Sequence, residues 1–373
     1  MIRSYKFRIY PNKKQEHQFY KEFAASKFVY NYYLDKSIKY YEENKNNDKK
    51  KSINYYDWCK DLTSMKKEEN NKWLKEASNV VLQQKLRDLN LAYKNFFRRL
   101  GQGTNPGFPN FKKFNSSVRY SNISCKYSRK IHKIKISKIG WIRIVDYSPA
   151  YGKIMNMTIS KSKDGKWYVS ISVEQKDKIL IDNKSEKQIG IDVGIKSFLV
   201  DSDGNKINNP KFLEKSEKKL MKAQKELSKK KIGSNNRRKQ RLVLAKIHAK
   251  ITDQRKNFLH QLSIKLTKEN TLIVRENLAI KNMVKNHKLA KSISSVSWSE
   301  FFSMLDYKGI WYGCEIMKIG RFEPSSKKCN NCGYVKKDLT LDIREWECPN
   351  CHEILNRDIN AAKNILEIGL QNF

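Results

Sequence analysis

Acidic residues are scarce in this chain: 38 Asp and Glu stand against 77 Lys and Arg over 373 residues, a formal net charge of +39. Such an imbalance excludes an ordinary solvated surface and calls for a polyanionic partner. A nucleic acid backbone fits best, and an anionic membrane is the main competitor. Long apolar runs are also missing. None approaches the roughly 20 residues that a spanning helix needs. Met1 to Pro11 alternates charged and aromatic residues, without the apolar region of a signal peptide. The reading is therefore a cytoplasmic protein with no membrane partner. Cysteine is sparse too: seven residues, three of them single (Cys59, Cys125, Cys314) and four clustered. An odd count with two C-x-x-C pairs excludes a disulfide framework and points to reduced thiols with a metal site.

Residues 2–10 read as a strand, Tyr5, Phe7 and Ile9 alternating with Lys6 and Arg8 before Pro11. Residues 12–42 read as helix and 43–51 as a charged loop. A second helix is expected from Asn79 to Leu100, with Leu82, Leu86, Leu89, Tyr93, Phe96 and Leu100 on one buried face. The segment 112–173 alternates apolar and basic residues, as in a small barrel or sandwich with one basic face, to which the first strand can belong. Residues 12–105 are then a helical insertion. After Glu186 the pattern changes. QIGIDVGI and TLIVREN are nearly continuous apolar strands, as in a sheet covered on both faces. Residues 211–256 carry 17 Lys/Arg and 4 Asp/Glu and read as two basic helices joined at Gly233.

Cys329, Cys332, Cys348 and Cys351 follow C-x2-C-x15-C-x2-C. Each knuckle presents two thiolates from a tight turn, and two knuckles close a tetrahedron that suits structural Zn²⁺. Four thiolates leave no open position for hydrolysis. His352 is adjacent but is not needed as a ligand, and Trp346 can pack beside the knuckles.

Three acids stand out by position: Asp192 inside a buried strand, Glu276 at a strand end and Asp358 at a helix start. Singly, each has an ordinary reading as a turn cap, a strand-end ion pair or a first-turn helix charge. Together they can meet at one end of a sheet and hold two Mg²⁺ ions roughly 4 Å apart, the clamp used in phosphodiester hydrolysis. Strand order and helix placement point to a ribonuclease-H-like fold.

GIDVGIKSFLVDSDG, ENLAIKNM, PSSKKCNNCG, REWECPNC and NRDINAAKNIL follow one another as the motifs of the TnpB family do. YKFRIYPNKKQ, FVYNYYL, LQQKLRDLNLAYKNFFRR, GFPNFKK and RYSN are similar to that family's opening. Over essentially its whole length the chain resembles these transposon-associated, RNA-guided DNA endonucleases, which are ancestral to type V CRISPR effectors. The resemblance implies a multi-domain α+β chain. A β-barrel wedge domain (1–11 and 106–185) holds an inserted helical recognition lobe (12–105). A RuvC-like α/β nuclease domain (186–322 and 355–373) holds a zinc ribbon (323–354). It implies Asp192, Glu276 and Asp358 as the Mg²⁺-binding catalytic acids. Its partners are a guide RNA and target double-stranded DNA, with a monomer in the ribonucleoprotein. Asn79, Gln83, Ser121 and Asn122, and more weakly Tyr55 and Tyr56, match positions that read a short flanking motif. Asn and Gln can pair bidentately with adenine, and capping or surface polarity is the plain alternative. Asn277 departs from the family, where many relatives have Asp, and the chain ends soon after its last helix.

Overall fold

The computed structural model describes residues 2–45, 54–147, 150–175, 185–321, 323–340 and 343–371. They form two compact units, Met1–Asp177 and Lys178–Phe373, dividing a few residues before the expected boundary at 185/186. No helix among the described residues is long and apolar enough to cross a membrane.

The first unit opens with β1 (Ile2–Tyr10) and α1 (Lys13–Asn44). Asn12 caps α1: its side chain accepts from the Gln15 backbone, and the Gln15 side chain accepts from Asn12 in return. The expected 43–51 loop begins as the end of this helix, and its residues 46–51 lie outside the described set. Two elements absent from the sequence reading follow, α2 (Tyr55–Met65) and a 3-10 segment (Glu69–Glu76). Then α3 (Asn79–Gly101) buries Leu82, Leu86 and Leu89 as its spacing requires. Its stripe fades, however, and Leu100 is 55% exposed. Phe108, from the Gly/Pro-rich segment beyond, packs on Tyr93 and Phe96 instead.

Six strands complete the unit: β2 (Ser117–Ser121), β3 (Cys125–Ser128), β4 (Lys133–Ile136), β5 (Gly140–Val145), β6 (Lys153–Lys161) and β7 (Trp167–Glu174). The sheet order is β2-β6-β7-β1-β5-β4-β3. β1 thus lies mid-sheet, antiparallel to β7 and β5, although α1, α2, the 3-10 segment and α3 separate it from them in sequence. The sheet curls, but β2 and β3 are its two edges and do not pair; a 3-10 turn (Asn122–Ser124) joins them. The helices expected as a separate lobe share the sheet's core. Phe19, Phe23 and Val81 cluster with Ile9, Tyr120 and Trp167. Buried Glu22 ties the layers, accepting from the Tyr120 hydroxyl on β2 and from the Ser78 backbone ahead of α3 (3.2 Å). Burial holds its carboxyl above the usual range.

The second unit has β8 (Gln188–Asp192), β9 (Ser197–Asp201), β10 (Lys206–Asn208), α4 (Phe212–Ser228), α5 (Asn235–Glu269), β11 (Leu272–Arg275), α6 (Ile280–Met283), α7 (His287–Val296), α8 (Trp298–Tyr312) and β12 (Glu315–Lys318). The short hairpin β13 (Glu345–Glu347) and β14 (Ile354–Asn356) precedes α9 (Arg357–Gln371). The main sheet runs β10-β9-β8-β11-β12. β8, β11 and β12 are parallel; β9 and β10 are antiparallel to their neighbours. Burial on both faces explains the continuous apolar strands. Ile189, Ile191 and Ile273 pack with Leu259, Leu262 and Leu266 of α5 and Phe301 of α8. Leu272 and Val274 pack with Ile365 of α9. Gly190 is required here: a Cβ would stand 2.1 Å from the Ala362 carbonyl oxygen, so only glycine lets α9 approach β8 so closely. The basic helices are as expected. Among the described residues α4 buries only Ala223, so its lysines stay in solvent along α5.

Candidate active site and thiol cluster

Asp192 is the last residue of β8 and Glu276 directly follows β11. The parallel register pairs Ile191 with Arg275, which brings both acids to the C-terminal ends of neighbouring strands. Asp358 stands in the first turn of α9, which the Gly190 contact presses onto β8. Asp192 feels the charges of the other two. Asp192 is pushed up to about 8 from its ordinary 3.8, first by burial, then by the charges of Glu276 and Asp358. The Val193 backbone N–H and Arg357 pull the other way and do not prevail. Carboxylate oxygens are donors that suit a hard divalent cation, while among the described residues the four cysteines are the group that stands close enough to hold one ion as it is. Neighbouring Asp201 is not part of it: its carboxylate is turned onto Asn205 and the Asp203 backbone in its own hairpin.

The other two acids are held from the cysteine-bearing segment. Ser325 Oγ donates to Glu276 Oε1 at 2.6 Å, and Arg344 pairs with Asp358 at 3.0 Å. Sequence reasoning missed Ser325, Arg344 and the asparagines Asn330, Asn360 and Asn364. A signal existed: Asn360 and Asn364 are four apart, on one face of α9, and both are buried.

The four cysteine sulfurs lie within 4.8 Å of one another. Cys329 and Cys351 are 3.7 Å apart, and Cys332 and Cys348 are 3.5 Å apart. A tetrahedron with metal–sulfur bonds of about 2.3 Å sets its sulfurs about 3.8 Å apart, so the cluster fits a metal ion. The knuckles match. Gly333 N–H donates to Cys329 O, and His352 N–H donates to Cys348 O. Both residues have positive φ, +79° and +57°. His352 is no ligand in this arrangement; its ring pairs with Glu347 at 3.0 Å. Trp346 is buried against Cys329, Cys348, Leu339 and Leu355, as its position suggested.

Asn79 opens α3 and Gln83 is exposed one turn later on the same face; α3 packs on β2, which ends at Ser121, with Asn122 next. Asn79 accepts from Lys66 Nζ at 2.8 Å, and the Asn122 side chain accepts from the Ile123 backbone, which is a local turn. Tyr55 hydrogen-bonds Arg87 at 3.1 Å, whereas Tyr56 is 72% exposed.

Three family models match: a probable transposase (OrfB of IS605) over residues 170–287, a Cas12f1-like TNB domain over 298–365, and a helix-turn-helix domain over 1–46. A Streptomyces pristinaespiralis protein named an RNA-guided DNA endonuclease is 38% identical over 99% of this chain and 89% of its own length. The chain belongs to the TnpB (IS605 OrfB) family. The Escherichia coli K12 relative InsQ, with the same designation, is 31% identical over 99% of this chain and 92% of its own length. In fold, this TnpB-family chain is similar to the Cas12f1 protein of a Cas12f1–sgRNA–target DNA complex, with a TM-score of 0.58, 13% identity and 98% of both chains covered. The TNB match spans both the thiol cluster and Asp358. The helix-turn-helix description does not suit this TnpB-family chain: residues 2–45 form one strand and one 32-residue helix.

Proposed function

We propose that this TnpB-family chain is an RNA-guided DNA endonuclease that cuts double-stranded DNA at a ribonuclease-H-like site. The observation that carries this reading is that Asp192 and Glu276 stand at the ends of paired parallel strands, where burial and then the charges of Glu276 and Asp358 raise Asp192 to about 8. Two relatives named RNA-guided DNA endonucleases support it. The sheet order supports the RuvC-like assignment.

Asp192, Glu276 and Asp358 would hold Mg²⁺, which when bound lowers the pKa of the attacking water and stabilises the leaving 3′ oxygen. Asp192, raised by burial and its neighbours, would have to shed its proton to hold a cation, so occupancy and its deprotonation would be linked. Arg344 holds Asp358 meanwhile. The thiol cluster takes Zn²⁺ as a structural ion with no open position. The lysines of α4 and α5 follow a phosphate strand. The first unit, read as wedge and recognition helices, takes the guide RNA and reads the flanking motif through Asn79, Gln83, Ser121 and Asn122. Guide pairing then supplies target specificity.

The test is cleavage of matched duplex DNA by the purified ribonucleoprotein with Mg²⁺. Asp192→Ala is expected to lower the rate by about a thousandfold or more while RNA binding stays intact. Undiminished cutting by Asp192→Ala would overturn the assignment. Binding without cutting by the wild type, across divalent metals, would make the chain a guided DNA-binding repressor.

A further inference from the structure

We infer that Ser325 is a positioning residue for Glu276, and that the first thiol knuckle sets its place through the asparagines of α9. The inference rests on reading the three acids as a metal site. Ser325 is buried, with its hydroxyl on Glu276 Oε1 at 2.6 Å. The turn around it is already closed without that hydroxyl, because Lys327 N–H and Lys328 N–H both donate to Pro324 O at 3.0 Å. The side chain is therefore free to serve the carboxylate rather than the turn.

The Ser325 backbone is fixed from the other side. Asn364 Nδ2 donates to Ser325 O (2.7 Å) and to Lys328 O (2.6 Å), and Asn360 Nδ2 donates to Lys328 O at 2.7 Å. Lys328 directly precedes Cys329. Within the knuckle, Asn330 N–H donates to Asn360 Oδ1 (2.9 Å) and Asn330 Nδ2 to Asn364 Oδ1 (3.2 Å). Buried amides that satisfy several partners at once hold a single arrangement, because each alternative leaves a polar group unpaired. One continuous polar chain therefore runs from the thiol knuckle, across α9, to Glu276.

Glu276 follows the end of its strand and can swing about its own side-chain bonds. A hydroxyl donating to one of its oxygens fixes the rotamer and leaves the other oxygen for a cation. Hydrogen bonding of this kind to a metal-binding carboxylate tunes affinity without touching the substrate.

The test compares Ser325→Ala and Ser325→Thr with wild type in three measurements. These are the Mg²⁺ concentration for half-maximal cleavage by the ribonucleoprotein, Mn²⁺ bound by the RNA-free full-length chain by electron paramagnetic resonance, and zinc content with melting temperature. Ser325→Ala is expected to weaken Mn²⁺ binding and raise the Mg²⁺ requirement about 10- to 100-fold. The rate at saturating Mg²⁺ should fall much less, zinc and melting should be unchanged, and Ser325→Thr should restore the wild-type metal dependence. Unchanged metal dependence in Ser325→Ala overturns the inference, and so does a loss that comes with lost zinc or lowered melting, or one that threonine does not rescue. If Ser325→Ala is silent while Asp192→Ala is dead, only this inference fails; if Asp192→Ala cuts normally, the reading of the acids fails with it.

Discussion

The thiol cluster and the three carboxylates are both made of metal-binding residue types, yet they are assembled in opposite ways. The thiols come from two tight turns within one short segment, Cys329 to Cys351, and their sulfurs stand at tetrahedral separation. The carboxylates come from a strand end, the residue after another strand, and a helix start, with most of the second unit's chain between Asp192 and Asp358. A knuckle needs only local backbone hydrogen bonds and a metal. The acid site needs a finished sheet with a helix packed on it. Four thiols leave no open position on an ion they would share, whereas among the acids burial and two neighbouring charges raise Asp192.

Removing the metal from the thiols separates the two most sharply. Structural zinc supplies about 10–16 kcal/mol in isolated ribbons, far more than the small cluster around Trp346 can replace. Chelation, or Cys348→Ser, is expected to unfold residues 323–356. Hydrogen exchange there should rise to free-chain rates, while β8 and β11 stay protected; protection persisting without metal would refute this. Gly190→Ala attacks the other site. The added carbon would meet the Ala362 carbonyl oxygen at 2.1 Å and the Leu366 nitrogen at 2.7 Å. A loss of about 3 kcal/mol is expected in denaturant unfolding, as is lost cleavage, with zinc content unchanged. Wild-type stability would mean that α9 does not depend on this close approach.

Lys308 tests the shared scaffold, away from either site. It is 2% exposed, donates to His260 O and Ser263 Oγ, and burial pushes its amine down to about 8 from 10.5. Below pH 8 both folded and unfolded chains carry the proton, and the burial penalty is complete. Between about 8 and 10.5 the folded chain sheds it first, so the unfolded state binds more protons and stability rises with pH. Lys308→Met should remove that rise, which is on the order of 2–3 kcal/mol. Matching slopes for variant and wild type at pH 7.5 and 9.5 would contradict it. The smallest effect concerns the two knuckles. His352 occupies the left-handed position that Gly333 fills in its counterpart. His352→Gly should stabilise the metal-loaded ribbon by about 0.5 kcal/mol, since relief of strain is partly offset by the lost Glu347 contact. A clear loss in thermal melting would show that the histidine does more there.

Much of this was legible in the residues. β1, α1, α3, the two basic helices and the apolar strands were all readable from periodicity, and so was the cysteine cluster from spacing. α2, the 3-10 segment and α7 were not: each is short and finds its partners only in the folded unit. Trp58 and Leu74, for example, join a cluster with Tyr33 and Leu86. The barrel expectation was half met. Alternation tells a strand which face to bury but not whether the last strand meets the first, and here β2 and β3 stay apart. Nor did the pattern show that α1 and α3 share the sheet's core, because Phe19 and Phe23 look alike whether they bury against helices or against Trp167.

The sequence by itself determined which chemistry was available: four thiols at metal spacing, three acids in apolar settings, and an excess of 39 positive charges. Those are properties of residue type and local spacing, and they need no fold. Only the tertiary structure decided where the acids stand. Parallel register carries Asp192 and Glu276 to the C-terminal ends of neighbouring strands, and Gly190 admits the helix bearing Asp358. It also decided that Ser325 and two buried asparagines tie the thiol knuckle to Glu276. Hydrogen bonds between residues far apart in the chain leave no periodic trace, because they depend on distances that exist only after packing.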